Sequence, residues 1–130
     1  PQRFSYEFFL ADWQKWERMG LVEDLVIQVY RDDLNVFTSE LEYPEVKAAK
    51  SHIPVSIGII TGLKRKFVPM TQISQQVQQV RDRNFAGVSF FFYESLWNMT
   101  KEAPQQRQTG FKNLFPTGTS YPNLLAGWKP

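Results

Sequence analysis

The chain has 130 residues, of which 42% are hydrophobic and 22% charged, and a net charge of +2. That length suits one domain with a core and is too short for two, and so small a net charge leaves no electrostatic footprint for nucleic acid. The absence of cysteine excludes disulfides, thiolate nucleophiles and cysteine-ligated zinc, and no apolar run approaches the length of a membrane span.

Tyr6 to Met19 is predicted as a helix. Phe9, Trp13 and Trp16 fall at i, i+4 and i+7 on one stripe, and Gly20 supplies a C-terminal stop. A strand follows from Asp24 to Arg31, with Leu25, Ile27 and Val29 on one face and Val26, Gln28 and Tyr30 on the other. Asp33 can cap a helix over Leu34 to Glu42, and Pro44 can open a second one running to Lys50. Val55 to Ile60 is the second strand, closed by Gly62. A loop from Leu63 to Met70 leads to Thr71 as N-cap of a helix over Gln72 to Arg83. That helix sets Ile73, Val77 and Val80 on one face and a run of Gln on the other. Its preceding loop holds the densest basic group, Lys64-Arg65-Lys66, read as solvated. Ala86 to Tyr93 is the third strand. Lys101 to Leu114 is partly helical, interrupted by Pro104 and Gly110, and Pro116 to Pro130 is irregular. Strands alternating with helices at this spacing give the α/β class, a parallel sheet covered by helices.

In a parallel sheet the three C-terminal strand ends lie on one side. That gathers Tyr30, Arg31 and Asp32, then Thr61 and Gly62, then Tyr93, Glu94 and Ser95. Asp32 and Glu94 are therefore candidates for one cleft. Glycoside hydrolysis typically uses two carboxyl groups about 5–9.5 Å apart, one protonating the leaving oxygen and the other attacking or activating water. Asp32 equally suits a helix cap or the surface, and Glu94 the surface. Gln28 in a buried strand needs a hydrogen-bond partner, either a neighbouring serine (Ser56 or Ser89) or a sugar hydroxyl. Gly58 makes room for a bulky neighbour or a ligand. Aromatic residues form 15% of the chain, with four Trp and eleven Phe. Most belong in the core, and the rest could stack on sugar rings. His52, the single histidine, suits a surface or capping role; with no cysteine beside it, no metal site is expected. No phosphate-binding glycine loop occurs, and no cofactor is implied.

Three segments carry a family resemblance. They are Asp12-Trp13-Gln14-Lys15-Trp16 followed by Gly20 to Arg31, then Ile53 to Leu63, then Gln76-Val77 and Arg81 with Phe85 to Leu96. Together they resemble the glycosyl-hydrolase-like family 10 proteins, in wording nearest the cyanobacterial members, over about residues 8 to 100. The resemblance implies a (β/α)8 barrel that hydrolyses glycosidic bonds in cell-wall or other polysaccharide, and it allows a periplasmic or extracellular location. Gln28, Tyr30 and Glu94 match family strand-end positions, and Arg31 and Asp32 match the cyanobacterial form. Such a barrel takes about 250 residues and eight strands. Three strands are visible here, similar to the C-terminal end of the barrel, and the acidic residues of earlier strands are absent.

The expectation is thus a partial (β/α)8 barrel, part of a longer protein, since the chain begins at Pro1 rather than Met and stops at Lys129-Pro130. Asp32 and Glu94 are the catalytic candidates, and Gln28, Tyr30, Arg31 and Tyr93 the substrate contacts. The partner is a carbohydrate, and the isolated chain is expected to be inactive. The alternative is a non-catalytic carbohydrate-binding or scaffold domain. Unpaired sheet edges, and a face shared by Ser89, Phe91 and Tyr93, imply self-association or docking with a missing N-terminal barrel half.

Overall fold

In the computed structural model, which describes residues 2–122, the N-terminal region forms two helices rather than one, α1 (Gln2–Phe9) and α2 (Trp13–Arg18). The predicted helix over Tyr6 to Met19 breaks at Leu10, whose φ of 53° is left-handed. Asp12 starts α2 by accepting a hydrogen bond from the Lys15 N–H at 3.2 Å. The apolar stripe splits with the helix: Trp13 is buried, while Phe9 and Trp16 are exposed. Gly20 does stop α2. Its N–H bonds the Glu17 carbonyl and the Leu21 N–H bonds the Trp16 carbonyl, a Schellman turn with φ +68° at the glycine.

The rest of the chain alternates strand and helix. β1 (Leu25–Gln28) leads to α3 (Leu34–Leu41) and α4 (Pro44–Lys50). β2 (Val55–Ile60) runs into a short antiparallel hairpin, β3 (Gly62–Leu63) with β4 (Lys66–Phe67), inside the stretch predicted as loop. α5 (Met70–Asp82), β5 (Gly87–Phe91), α6 (Tyr93–Trp97) and α7 (Pro104–Leu114) complete it. The sheet has the order β1-β2-β5 and is parallel throughout, with Gln28 opposite Gly58 and Gly58 opposite Ser89.

β2 is the centre of the sheet because its run of Val and Ile can be buried on both faces. Helices cover one face of the sheet. Ile27, Val29, Val55, Ile57 and Ile59 belong to one buried cluster with Phe37 and Leu41 of α3 and with Ile73, Val77 and Val80 of α5. The predicted apolar stripe of α5 is observed, with one polar addition. Gln76 is fully buried there and donates through Nε2 to the Arg31 carbonyl at 2.7 Å.

The C-terminal third differs most from expectation. The third strand ends at Phe91, so Tyr93 and Glu94 sit in the first turn of α6. Thr71 does not cap α5, whose N-cap residue is Pro69. Glu102 instead receives the Met70 N–H on both carboxylate oxygens, at 2.9 and 3.1 Å. α7 is continuous. Pro104 lies in its first turn, where no N–H is needed. Gly110 is where the helix meets α5: a Cβ there would stand 2.5 Å from Met70 Cγ. Residues 116–122 form no regular element, as predicted, and the remainder of the irregular tail, 123–130, lies outside the described residues.

Arg107 of α7 has no exposed surface. Its Nε donates to the Leu96 carbonyl at 3.0 Å, one terminal nitrogen to Val68 at 2.8 Å, and the other to Thr61 and Ser95 at 3.1 Å each. The first terminal nitrogen also meets Glu102 Oε2 at 3.1 Å. Replacing this side chain by Met would strand four carbonyls and leave the Glu102 carboxylate without its cation. Arg107→Met is expected to lower unfolding stability by about 3–5 kcal/mol in urea titration. Gly20→Ala meets nothing within 4 Å. It should cost only its left-handed backbone strain, about 1–2 kcal/mol in the same measurement.

Candidate functional site

The sheet face away from the helix-packed side carries Val26 and Gln28 on β1 with Tyr30 just past its end, Ser56, Gly58 and Ile60 on β2, and Gly87, Ser89 and Phe91 on β5, by register and alternation. Gln28 is on this face and is exposed, not buried as expected. β1 is an edge strand with helices over one face, so its amide can reach water without an internal partner. Neither Ser56 nor Ser89 bonds it among the described residues. The space at Gly58 adjoins Gln28 itself, since a Cβ there would meet Gln28 Cα and the Ile27 carbonyl at 3.4 Å.

Beyond Gln28, the C-terminal strand ends carry an aromatic pair. The rings of Tyr30 and Phe91 stack with centroids 5.6 Å apart and planes 28° from parallel. They come from the two outer strands and so meet across β2. Phe91 is 44% exposed and Tyr30 half-buried. Burial pushes the Tyr30 phenol above its ordinary value of 10.0, which keeps it a neutral donor.

Gln28, Tyr30 and Arg31 also share a cleft of about 410 Å³ between α1 and the free edge of β1, together with Phe4, Phe9 and Trp13. That size lies within the range of small-ligand sites. Arg31 is exposed but engaged by groups of its own chain. Its Nε donates to Glu40 Oε1 at 2.6 Å and another guanidinium nitrogen to the Tyr30 carbonyl at 3.1 Å.

The two candidate carboxylates are not joined. Asp32 Oδ1 pairs with Lys66 Nζ of β4 at 2.7 Å. The helix cap is Asp33, which accepts the Val36 N–H at 2.9 Å. Glu94 is exposed and enters no ion pair among the described residues, nor does it share a hydrogen bond with Asp32. Tyr93 is 71% exposed. Thr61 and Ser95, gathered at the strand ends as expected, are both fully buried and structural. Their hydroxyls lie 2.5 Å apart, and the Ser95 hydroxyl accepts the Phe92 N–H at 2.9 Å. His52 is exposed, with Nδ1 3.2 Å from Glu17 Oε2.

Three participants had no place among the predicted site residues. Phe91 was recognisable by alternation as sharing a face with Ser89, but its stacking on Tyr30 depends on the strand order. Lys66 and Glu40, which hold Asp32 and Arg31, lie on other elements, and no local pattern links them.

The family model described as Glycosyl hydrolase-like 10 matches residues 1–81. No curated protein and no solved structure matches the chain. The matched stretch contains Gln28, Tyr30, Arg31 and Asp32, and β5, Tyr93 and Glu94 follow it. Among the described residues, no helix is long and apolar enough to cross a membrane.

The Tyr30 environment has a pH consequence. A phenol whose folded value is raised stabilises the fold fully below its unfolded value, and that contribution is lost as pH climbs through the folded one. Tyr30→Phe should therefore remove part of the alkaline loss of stability. It should also remove one of the five tyrosinate contributions to the alkaline absorbance, the one displaced above the ordinary value of 10.0.

Proposed function

The chain belongs to the glycosyl hydrolase-like 10 family, and from this we propose that it is part of a (β/α)8 glycoside hydrolase acting on a polysaccharide or cell-wall glycan. In this reading it supplies one wall of the glycan site and no complete catalytic centre. The observation that carries it is the stacked Tyr30–Phe91 pair at the C-terminal ends of parallel strands. Ligands of α/β folds bind at those ends. Aromatic faces pack on the C–H faces of pyranose rings, while the Gln28 amide one step down the sheet offers both a donor and acceptors for sugar hydroxyls. Tyr93 and Arg31 complete the proposed contacts.

Glu94 and Asp32 are the proposed carboxylates of the reaction, working with acids from strands beyond these three. The arrangement that favours this sharing is the open sheet. β1 and β5 are each paired on one side only among the described residues. Unpaired edges recruit partners, so the same reading includes self-association or docking with the remaining barrel strands. A non-catalytic carbohydrate-binding role is the second reading, supported by the ion pair that engages the Asp32 carboxylate with Lys66.

Two measurements test the proposal. Incubated with glycans, the 130-residue chain should release no reducing ends; turnover abolished by Glu94→Gln would overturn the claim of incompleteness. In calorimetric titration with oligosaccharides, Phe91→Ala should weaken binding about two- to tenfold, the loss of one aromatic contact at roughly 0.5–1.5 kcal/mol.

A further inference from the structure

The β3–β4 hairpin stands at the same end of the sheet as the stacked aromatic pair and is fixed on both sides. Toward β1, Lys66 pairs with Asp32. Toward α6, the hairpin base is so close that a Cβ on Gly62 would come within 2.9 Å of the Met99 carbonyl and 3.3 Å of Ser95 Cβ. The turn itself is Lys64-Arg65, both exposed. Neither forms an ion pair with an acidic group among the described residues, whereas the other cations at this end are engaged. Lys66 is held by Asp32 and Arg31 by Glu40. Lys101 lies beneath the hairpin, its Nζ 5.1 Å from the centre of the Phe67 ring. Glu94, an exposed acid on α6, is also outside any ion pair among the described residues. Arg65 has φ 77°, a turn conformation that Gly or Asn takes more readily. A cation thus occupies a position that backbone geometry would give to glycine.

Resting on the carbohydrate reading above, we infer that the site takes an acidic glycan, with Lys64 and Arg65 receiving a carboxylate of a sugar ring stacked on Tyr30 and Phe91. Arg65 offers the bidentate fork that a carboxylate fits. Two cations at the same end of the sheet as one aromatic pair suit a single acidic sugar. A nucleic-acid strand would call for a longer basic track with successive stacking platforms.

The test is calorimetric titration of the full chain, at low ionic strength, with oligogalacturonate and with its carboxyl-reduced counterpart. The acidic oligomer should bind about tenfold tighter, the scale of one charge-assisted contact, and the gap should narrow as salt rises. Arg65→Gly should remove most of that preference and leave the reduced oligomer's affinity unchanged. Because glycine accepts φ 77° freely, the variant should melt no lower than the parent, which separates lost recognition from lost folding. Equal binding of the two oligomers would overturn the inference and leave the carbohydrate reading standing. So would a preference that survives in the Lys64→Gln/Arg65→Gly double variant. Tighter binding of a single-stranded oligonucleotide would reassign the hairpin and also overturn it. Binding of neither oligomer would overturn the carbohydrate reading itself.

Discussion

A buried guanidinium organises the C-terminal half of this protein. Removing an arginine from water costs several kcal/mol even after relaxation, so the surroundings of Arg107 must offset that cost completely. They do so with four carbonyls and the Glu102 carboxylate, taken from segments up to 46 residues away in sequence. Each carbonyl lies beside an element's end or in its last turn: Thr61 just after β2, Val68 between β4 and α5, Ser95 and Leu96 in the last turn of the five-residue α6. Such carbonyls would otherwise need water or caps. Glu102 couples the network to α5, because the carboxylate that meets Arg107 also takes the first N–H of that helix. The position of α5, and with it the buried Ile73, Val77 and Val80, is thereby tied to α7.

The same network reaches the ligand-facing end of the sheet. Thr61 and Ser95 are bonded to each other and, through their carbonyls, to Arg107. The Ser95 hydroxyl holds the Phe92 N–H and sets where α6 begins. Tyr93 and Glu94 are then placed by a helix start. α7 lies outside the stretch that matches the family model, yet it fixes the loops that follow β2 and β5. The part of the chain with no family signature thus supports the end of the sheet whose first strand has one.

What the sequence made legible follows from how local each determinant is. The apolar runs marked the three strands, and period-two alternation set Leu25, Ile27 and Val29 on one face of the first, because both are nearest-neighbour patterns. The Schellman stop at Gly20 and the Asp33 cap were legible for the same reason: each is settled within four residues. The single N-terminal helix was not, because its stripe counted Phe9 and Trp16, which find nothing to pack against, and the break at Leu10 has no glycine or proline to mark it. Gln28 was misplaced by an assumption of burial on both faces, which holds for β2 and fails for an edge strand. Arg107 carries no signal at all. A lone arginine in a polar helix looks solvated until the carbonyls of four distant residues are known.

The uncovered face of the sheet differs in kind from the covered one. Facing the helices, β2 presents Val55, Ile57 and Ile59, all fully buried, an aliphatic surface fit for helix packing. Facing outward, the sheet presents an amide at Gln28, hydroxyls at Ser56 and Ser89, glycines at 58 and 87, and aromatic rings at Tyr30 and Phe91. Purely parallel sheets are stable when both faces are covered. A second helical layer would be covered best by the aliphatic pattern seen on the first face. Small and hydrogen-bonding residues below, with stacked rings at the strand ends above, instead suit an interior that narrows onto a polar ligand with flat apolar faces. The charges around it point the same way: Glu40 and Lys66 hold Arg31 and Asp32 in place at that end while leaving both side chains partly exposed, and the rings, the Gln28 amide and the hairpin cations add further groups for recognition.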